Sequence, residues 1–512
     1  MSPNKKNFYI TTPIYYVNDK PHIGHAYTTV ACDVLARFMS MDGYNVKFLT
    51  GTDEHGQKVE QSASLKGKTP QEFTDEISQT FRKLAADLNI IADDFIRTTE
   101  ERHKEAVKYL WTTLKEKGYI YLGKYAGWYA IRDETFYKED EIKDGKAPTG
   151  APVQWVEEPS YFFKLSAFED RLLRYYEEHP DFIAPKSRMN EVKRFVQGGL
   201  EDLSISRTTF SWGVPVPDDP EHIVYVWLDA LTNYISALGY PEETEDFRSM
   251  WPEALHIVGK DILRFHAIFW PAFLMAADLP LPKKVYAHGW WTNEGEKISK
   301  SLGNVINPYD IIETYGLDPM RYFLIRAVPF GLDGDFSKKG MVDRLNSDLA
   351  NDLGNLVQRV LSFVYKHSEA KVPNKGAFQA SDKEILEDAY SIVEKVRPLI
   401  SENQALHKYA EVVWQLISSA NRYIDKQQPW NLRKTDVHRM ETVLYTLLEV
   451  IRCLALVIKP IMPGSMDKLM DLLHIPEEDR FFRALCEQYA LQEGAPLSKP
   501  EGLFPRYVEE KD

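Results

Sequence analysis

Apolar and polar positions recur with two different periods, and the change of period marks how the chain is organised. Phe8 to Tyr16 is rich in aromatic and β-branched residues and predicts a buried strand. After residues 21–25, apolar side chains recur at Tyr27, Val30, Ala31, Val34, Leu35 and Phe38. That spacing of three and four predicts one helix face, closed by Gly43. Tyr44 to Thr50 predicts a second strand, broken at Gly51, and helical patterns follow over about residues 69–88 and 100–117. Strand, helix and strand in that order predict a parallel sheet.

Near Gly118 the pattern changes, and residues 117–223 read as short aromatic strands with many turns. Strand-like runs return at Ile223–Trp227, Ala254–Val258 and Lys284–Ala287, with a long helical pattern from Asp261 to Ala277 between the last two. From about residue 341 the chain is amphipathic and helical, punctuated by Pro373, Pro398, Pro429, Pro460 and Pro463. The expected architecture is α/β: a doubly wound parallel sheet split by an inserted α+β domain, then an all-α helical bundle. The expected boundaries are 1–116 and 224–292 for the two sheet halves, 117–223 for the insertion, 293–340 for a loop region and 341–512 for the bundle and tail.

Composition narrows the class. The chain has 512 residues, 44% of them hydrophobic, enough for several domains with real cores. No apolar run approaches the roughly 20 residues that span a bilayer. The opening MSPNKKNFYI shows neither a secretory nor an organellar signal, so a cytoplasmic location is expected. Three scattered cysteines, Cys32, Cys453 and Cys486, exclude a disulfide framework and an all-cysteine zinc site. A formal net charge of −14 argues against a nucleic-acid partner. Yet Asp, Glu, Lys and Arg over residues 341–470 sum to +1, so the bundle does not share that acidity. Phosphate contacts depend on local potential rather than on the global sum.

Two motifs carry candidate chemistry. His22-Ile23-Gly24-His25 falls between a predicted strand and helix, where a helix N-terminus favours phosphate and two imidazoles can donate to its oxygens. Lys297-Ile298-Ser299-Lys300-Ser301, followed by Leu302-Gly303-Asn304, suits a polyphosphate clamp. Each alone is weak. As a pair, one in each half of the split sheet, they point to the strand carboxyl ends, where open α/β sheets bind ligands.

With these motifs the sequence resembles the methionyl-tRNA synthetases, class I aminoacyl-tRNA synthetases with a Rossmann-type catalytic domain. HIGH and KISKS are similar to the two class I signatures. PIYYVNDKPHIGHAYTT, FLTGTDEHGQK, DDFIRTTEERH, YVWLDALTNY, HIVGKDILRFHAIFWPA, DLGNLVQR and NRYIDKQQPW extend the likeness from Phe8 to about Pro463. The resemblance implies activation of methionine by ATP to methionyl-adenylate, with Mg²⁺ accompanying ATP. Transfer to the 3′-terminal adenosine of tRNA(Met) follows. It implies that His22, His25, Lys297 and Lys300 are catalytic, and that Gly24, Asp261 and Ser299 join them around ATP. Asp53 is implied to hold the methionine ammonium. Ile14, Tyr16, Trp227, Ala230, Leu231, Tyr234, Ile262 and His266 are implied to surround the side chain. Asn355, Arg359 and Trp430 are implied to read the anticodon. On residue type alone, Asp53 could cap a helix, Trp227, Leu231 and Tyr234 could be core, Arg359 a surface ion-pair partner and Trp430 a core anchor.

The sequence departs from the family in two ways. Many members carry zinc knuckles built from C-x-x-C pairs in the insertion. The corresponding stretches here, residues 129–133 and 146–150, contain no cysteine, so a zinc-free hairpin held by apolar packing is expected. The chain also ends soon after the bundle, whereas longer relatives continue into a dimerisation domain, so a monomer is expected. Synthetases for leucine, isoleucine and valine usually need a larger editing insertion than 117–223 allows. A non-catalytic RNA-binding descendant need not keep both signatures and Asp53. A small-molecule adenylyltransferase would leave the helical bundle unexplained.

Overall fold

The computed structural model describes residues 5–17, 20–133, 135–137, 139–298 and 304–507. Two compact units emerge, one made of residues 7–32 and 46–288, the other of residues 1–6, 33–45 and 289–512.

The first unit is built on a seven-stranded sheet. Its strands are β1 (Asn7–Thr11), β2 (Tyr15–Tyr16), β3 (Asn45–Asp53), β4 (Asp94–Arg97), β5 (Ile183–Ala184), β6 (Ala254–Gly259) and β7 (Lys284–His288). They lie in the order β2–β3–β1–β6–β7–β5, with β4 also on β3. The pairs β1–β6, β6–β7, β7–β5, β2–β3 and β3–β4 are parallel. The continuous apolar runs expected of a strand covered on both faces are present, since Ala254 to Val258 are all buried.

Three local features differ from the pattern reading. The single strand expected over residues 8–16 is two, because Thr12-Pro13 interrupts it and proline has no N–H to give a ladder. Strand β5 comes from the stretch read as insertion and forms an edge of the main sheet. The long helix expected from Asp261 is broken into a 3₁₀ turn at Lys260–Ile262, a π-helical turn at Phe265–Phe269 and an α-helix at Trp270–Ala276. Pro271 explains the break, because its ring denies the Ala267 carbonyl its i+4 donor. The buried Tyr176 hydroxyl donates to that carbonyl instead, at 2.6 Å.

The insertion carries a four-stranded antiparallel sheet. Its long strands, Ile120–Ala130 and Gln154–Phe163, pair from Ile120↔Phe163 to Tyr129↔Gln154. Its tip is closed by Ala130, Ala147 and Ala151 with Tyr137 and Val153 packed on them. Asp133 adds polar closure: it accepts from the Tyr137 hydroxyl at 2.9 Å and from Arg132 Nε at 3.0 Å, and also from the Thr149 hydroxyl. Among the described residues, no group of three or more His, Cys, Asp or Glu could hold a metal ion.

The second unit is mainly helical. Helix Val437–Ile458 is buried along most of its length and forms the axis. Helices Asn355–His367, Ala380–Tyr390, Leu406–Gln427 and Pro463–Leu472 surround it. Arg321 is fully buried within this unit. It donates to Asp33 Oδ2 at 2.6 Å and to the Ile461 and Pro460 carbonyls, which satisfies most of its planar fork. No helix among the described residues is long and apolar enough to cross a membrane.

Candidate active site

The helix Ile23–Met41 starts inside the first motif. His22 Nδ1 accepts the Gly24 N–H at 3.0 Å, and His25 Nδ1 accepts the His22 N–H at 3.1 Å. A ring nitrogen that accepts carries no proton, so in the neutral state both imidazoles hold theirs on Nε2 and present an N–H donor. The rings lie 4.0 Å apart, and His25 is held edge-on by Tyr15 and Phe81. Gly24 is required by space: a Cβ there would stand 2.9 Å from His22 Cε1.

Asp53 ends β3, buried, with Tyr16 beside it in the β2–β3 pairing. Helix Val226–Ser236 carries Trp227, Ala230, Leu231 and Tyr234. Trp227, Leu231, Tyr234, Ile14 and Ile262 all belong to one apolar cluster. His266 joins them through its ring, edge-on to Trp227 and 2.7 Å from the Tyr234 hydroxyl. His266 Nδ1 lies 2.9 Å from the Ile262 carbonyl, which can only accept, so Nδ1 bears the proton and Nε2 accepts from Tyr234. Burial holds the His266 imidazole down at about 4, so it is neutral across the physiological range.

Asp261 follows the carboxyl end of β6. A Cβ on Gly259 would stand 2.5 Å from Asp261 Oδ1 and 3.9 Å from His288 Cε1, so the glycine leaves room where these two side chains converge. The Lys297 backbone lies in a short strand, Glu296–Lys297; its side chain, and all of Ser299 and Lys300, lie outside the described residues.

In the second unit Asn355 and Arg359 share a face of the Asn355–His367 helix. The Arg359 guanidinium lies 5.3 Å from the Trp430 ring centre and donates to Asp425 at 2.8 Å. Trp430 is 37% exposed, which fits a stacking platform better than a core anchor.

Four contacts of the first unit involve residues to which the sequence reading gives no role, Thr28, His55, His103, Asp229, Phe265 and His288 among them. His288 closes β7 and meets the Thr28 hydroxyl at 2.9 Å, tying that strand end to the first-motif helix. Phe265 stacks flat on Trp227, centroids 3.6 Å apart and planes 8° apart. Asp229 accepts from His55 and from His103. Only His288 lies outside the family-like segments, and its local hint is a strand end followed by Gly289.

A parallel sheet with a histidine-bearing turn and helix N-terminus at its carboxyl edge, in a chain that also holds a helical bundle, is the arrangement of a class I aminoacyl-tRNA synthetase, and the family comparisons assign that class. The family model "tRNA synthetases class I (M)" matches residues 8–153 and 141–361, and "Anticodon binding domain of methionyl tRNA ligase" matches residues 372–512. The chain is 55% identical over 507 residues to a methionine–tRNA ligase of Rickettsia felis, covering 98% of this chain and 99% of that one. It is 53% identical over 511 residues to the Brucella suis methionine–tRNA ligase, covering 99% of each. A solved Mycobacterium tuberculosis methionyl-tRNA synthetase in complex with methionyl-adenylate superposes with a TM-score of 0.95 at 49% identity, covering 98% of this chain and all of that one. This chain belongs to the methionine–tRNA ligase family.

Proposed function

We propose that the chain activates methionine with ATP to methionyl-adenylate and pyrophosphate, then transfers methionyl to the 3′-terminal adenosine of tRNA(Met). The observation that carries this reading is likeness over nearly the whole chain to a synthetase solved with methionyl-adenylate. The chemistry needs positioning and charge stabilisation rather than a covalent enzyme intermediate. The methionine carboxylate attacks the α-phosphorus in line and pyrophosphate leaves. His22 and His25 donate Nε2–H to phosphate oxygens as charge builds on them; their backbone-fixed tautomers support this role. Asp261 accepts from a ribose hydroxyl beside Gly259. Lys297, Ser299 and Lys300 take the leaving pyrophosphate, an assignment supported by the motif alone. Mg²⁺ accompanies ATP and offsets its phosphate charge.

Asp53 pairs with the methionine ammonium. Trp227, Ala230, Leu231, Tyr234, Ile14, Tyr16, Ile262 and His266 surround the thioether, whose sulfur gains roughly 0.3–1.5 kcal/mol against each aromatic edge. A neutral His266 keeps charge out of this apolar wall. Asn355, Arg359 and Trp430 bind unpaired anticodon bases by stacking and hydrogen bonding. In the insertion, alanine packing and the Asp133 bonds take the place of zinc. Methionine-dependent ATP–pyrophosphate exchange tests the first step and charging of unfractionated tRNA the second. Exchange with leucine and none with methionine would overturn the reading.

A further inference from the structure

One fully buried carboxylate has no part in the chemistry above. Asp229 sits on the Val226–Ser236 helix, among Trp227, Ala230 and Leu231, with none of its surface exposed. Its Oδ2 accepts from His55 Nδ1 at 2.6 Å and its Oδ1 from His103 Nε2 at 2.8 Å. Both imidazoles are buried too. Burial alone would raise the Asp229 carboxyl, but the attraction of His55 and the hydrogen bonds from both rings bring it down to about 2. It is therefore ionised throughout the working range.

The two rings come from different elements. His103 belongs to helix Glu101–Glu116, and its Nδ1 lies 3.0 Å from the Ser236 hydroxyl at the far end of the Asp229 helix. His55 follows Asp53 by two residues and meets Trp212 edge to face. The residue between them, Glu54, is fully buried and pinned separately. It accepts from Arg97 Nε at 2.7 Å and Nη2 at 2.9 Å, from Thr52 at 2.7 Å and from Thr99 at 2.6 Å. The chain leaving β3 at Asp53 is thus fixed to β4 by Glu54 and to the Trp227 helix by His55.

Apolar side chains of equal volume would hold these elements together without fixing their rotation. A planar carboxylate with one N–H on each oxygen fixes both distance and angle. Apolar replacements of buried ion pairs often cost nothing in stability, so stability alone gives no reason to bury this charge. We propose that Asp229 is a positioning residue for methionine. Through His55 it sets the Asp53 end of β3 against the helix that bears Trp227, Ala230 and Tyr234, and so governs methionine affinity without touching methionine. The inference rests on the reading of Asp53 and that helix as the methionine pocket. Misplacing a bound group by about 1 Å can cost on the order of a hundredfold in rate, so small slippage here is measurable.

The test uses the full chain and methionine-dependent ATP–pyrophosphate exchange. An asparagine amide nitrogen overlays imidazole Nδ1, and a glutamine amide nitrogen overlays Nε2. His55 uses Nδ1 and His103 uses Nε2, so His55→Asn and His103→Gln keep the donor in place, whereas His55→Gln and His103→Asn displace it. We expect the KM for methionine to rise at least about tenfold in the displaced variants and to stay within about threefold in the matched ones, with the KM for ATP within about twofold in all four. Equal methionine KM values in matched and displaced variants would overturn the proposal. So would methionine and ATP KM values that rise together. Asp53→Asn is the reference. If it leaves the methionine KM unchanged, the pocket reading itself fails. If it raises that KM while the His55 variants do not differ, only the role of Asp229 fails.

Discussion

Removing one hydroxyl at Tyr234 should leave a buried ring nitrogen without its donor. Tyr234→Phe keeps the ring, so its contacts with His256 (centroids 4.1 Å) and Trp270 (6.3 Å) persist. It also keeps the backbone carbonyl that accepts from the Tyr9 hydroxyl at 2.9 Å. What is lost is the 2.7 Å bond to His266 Nε2. His266 cannot flip to compensate, because its Nδ1–H is engaged by the Ile262 carbonyl. A buried acceptor left unsatisfied costs about 1–3 kcal/mol, against about 0.5–1.5 kcal/mol for an ordinary bond exchanged with water. A single unfolding free energy is ill defined for a chain of two units. Hydrogen exchange is therefore read locally, on peptides covering residues 226–236 and 262–277. Local opening there should become easier by about 1–3 kcal/mol, roughly five- to 150-fold faster exchange. Residues 437–458 in the other unit should not change. Tyr234→Phe with His266→Leu should cost less than the two single costs added, because both polar partners are gone. The reasoning is refuted if Tyr234→Phe alters exchange by less than about 0.5 kcal/mol, or if the pair is strictly additive.

Other expectations follow from the same structure. His266 has its proton affinity depressed in the folded state, from 6.5 to about 4, so the unfolded chain binds a proton first as pH falls. Its contribution is present above pH 6.5 and is lost between there and about 4, up to roughly 3 kcal/mol, and His266→Gln should flatten that part of the acid-stability curve. Arg321→Met strips a fully buried partner from Asp33, which keeps Arg37, and should ease local opening by about 1–3 kcal/mol, read as faster hydrogen exchange over residues 317–326, with Asp33→Leu added on top restoring part of it. Asp133→Ala removes the polar closure of the insertion tip; limited proteolysis within residues 131–152 should speed up, and added zinc should not reverse it. Arg359→Ala should raise the KM for tRNA at least about tenfold while leaving pyrophosphate exchange unchanged.

Much of the fold was legible because it is written locally. Spacing of three and four along residues 27–38 lies on a real helix, and the strand-like runs at 254–258 and 284–287 are parallel strands. Local signals failed where a distant group decided the outcome. The helix expected from Asp261 contains a π turn whose freed carbonyl is capped by Tyr176, 91 residues away. Strand β5 is two residues long, too short to show a period.

By itself, then, the sequence determined the order of elements, the two signatures and the residue types suited to phosphate, ammonium and thioether. Those depend on periodicity, turn chemistry and side-chain identity, which are properties of neighbours in the chain. Tertiary structure alone decided which distant side chains meet. The Nε2–H tautomers of His22 and His25 and the Nδ1–H tautomer of His266 follow from backbone groups two to four residues away, so they belong to local structure. The partnership of Asp229 with His55 and His103 joins residues 174 and 126 positions apart. No periodicity encodes such contacts, because a hydrogen bond is fixed by distances of a few tenths of an ångström that exist only once the elements have packed.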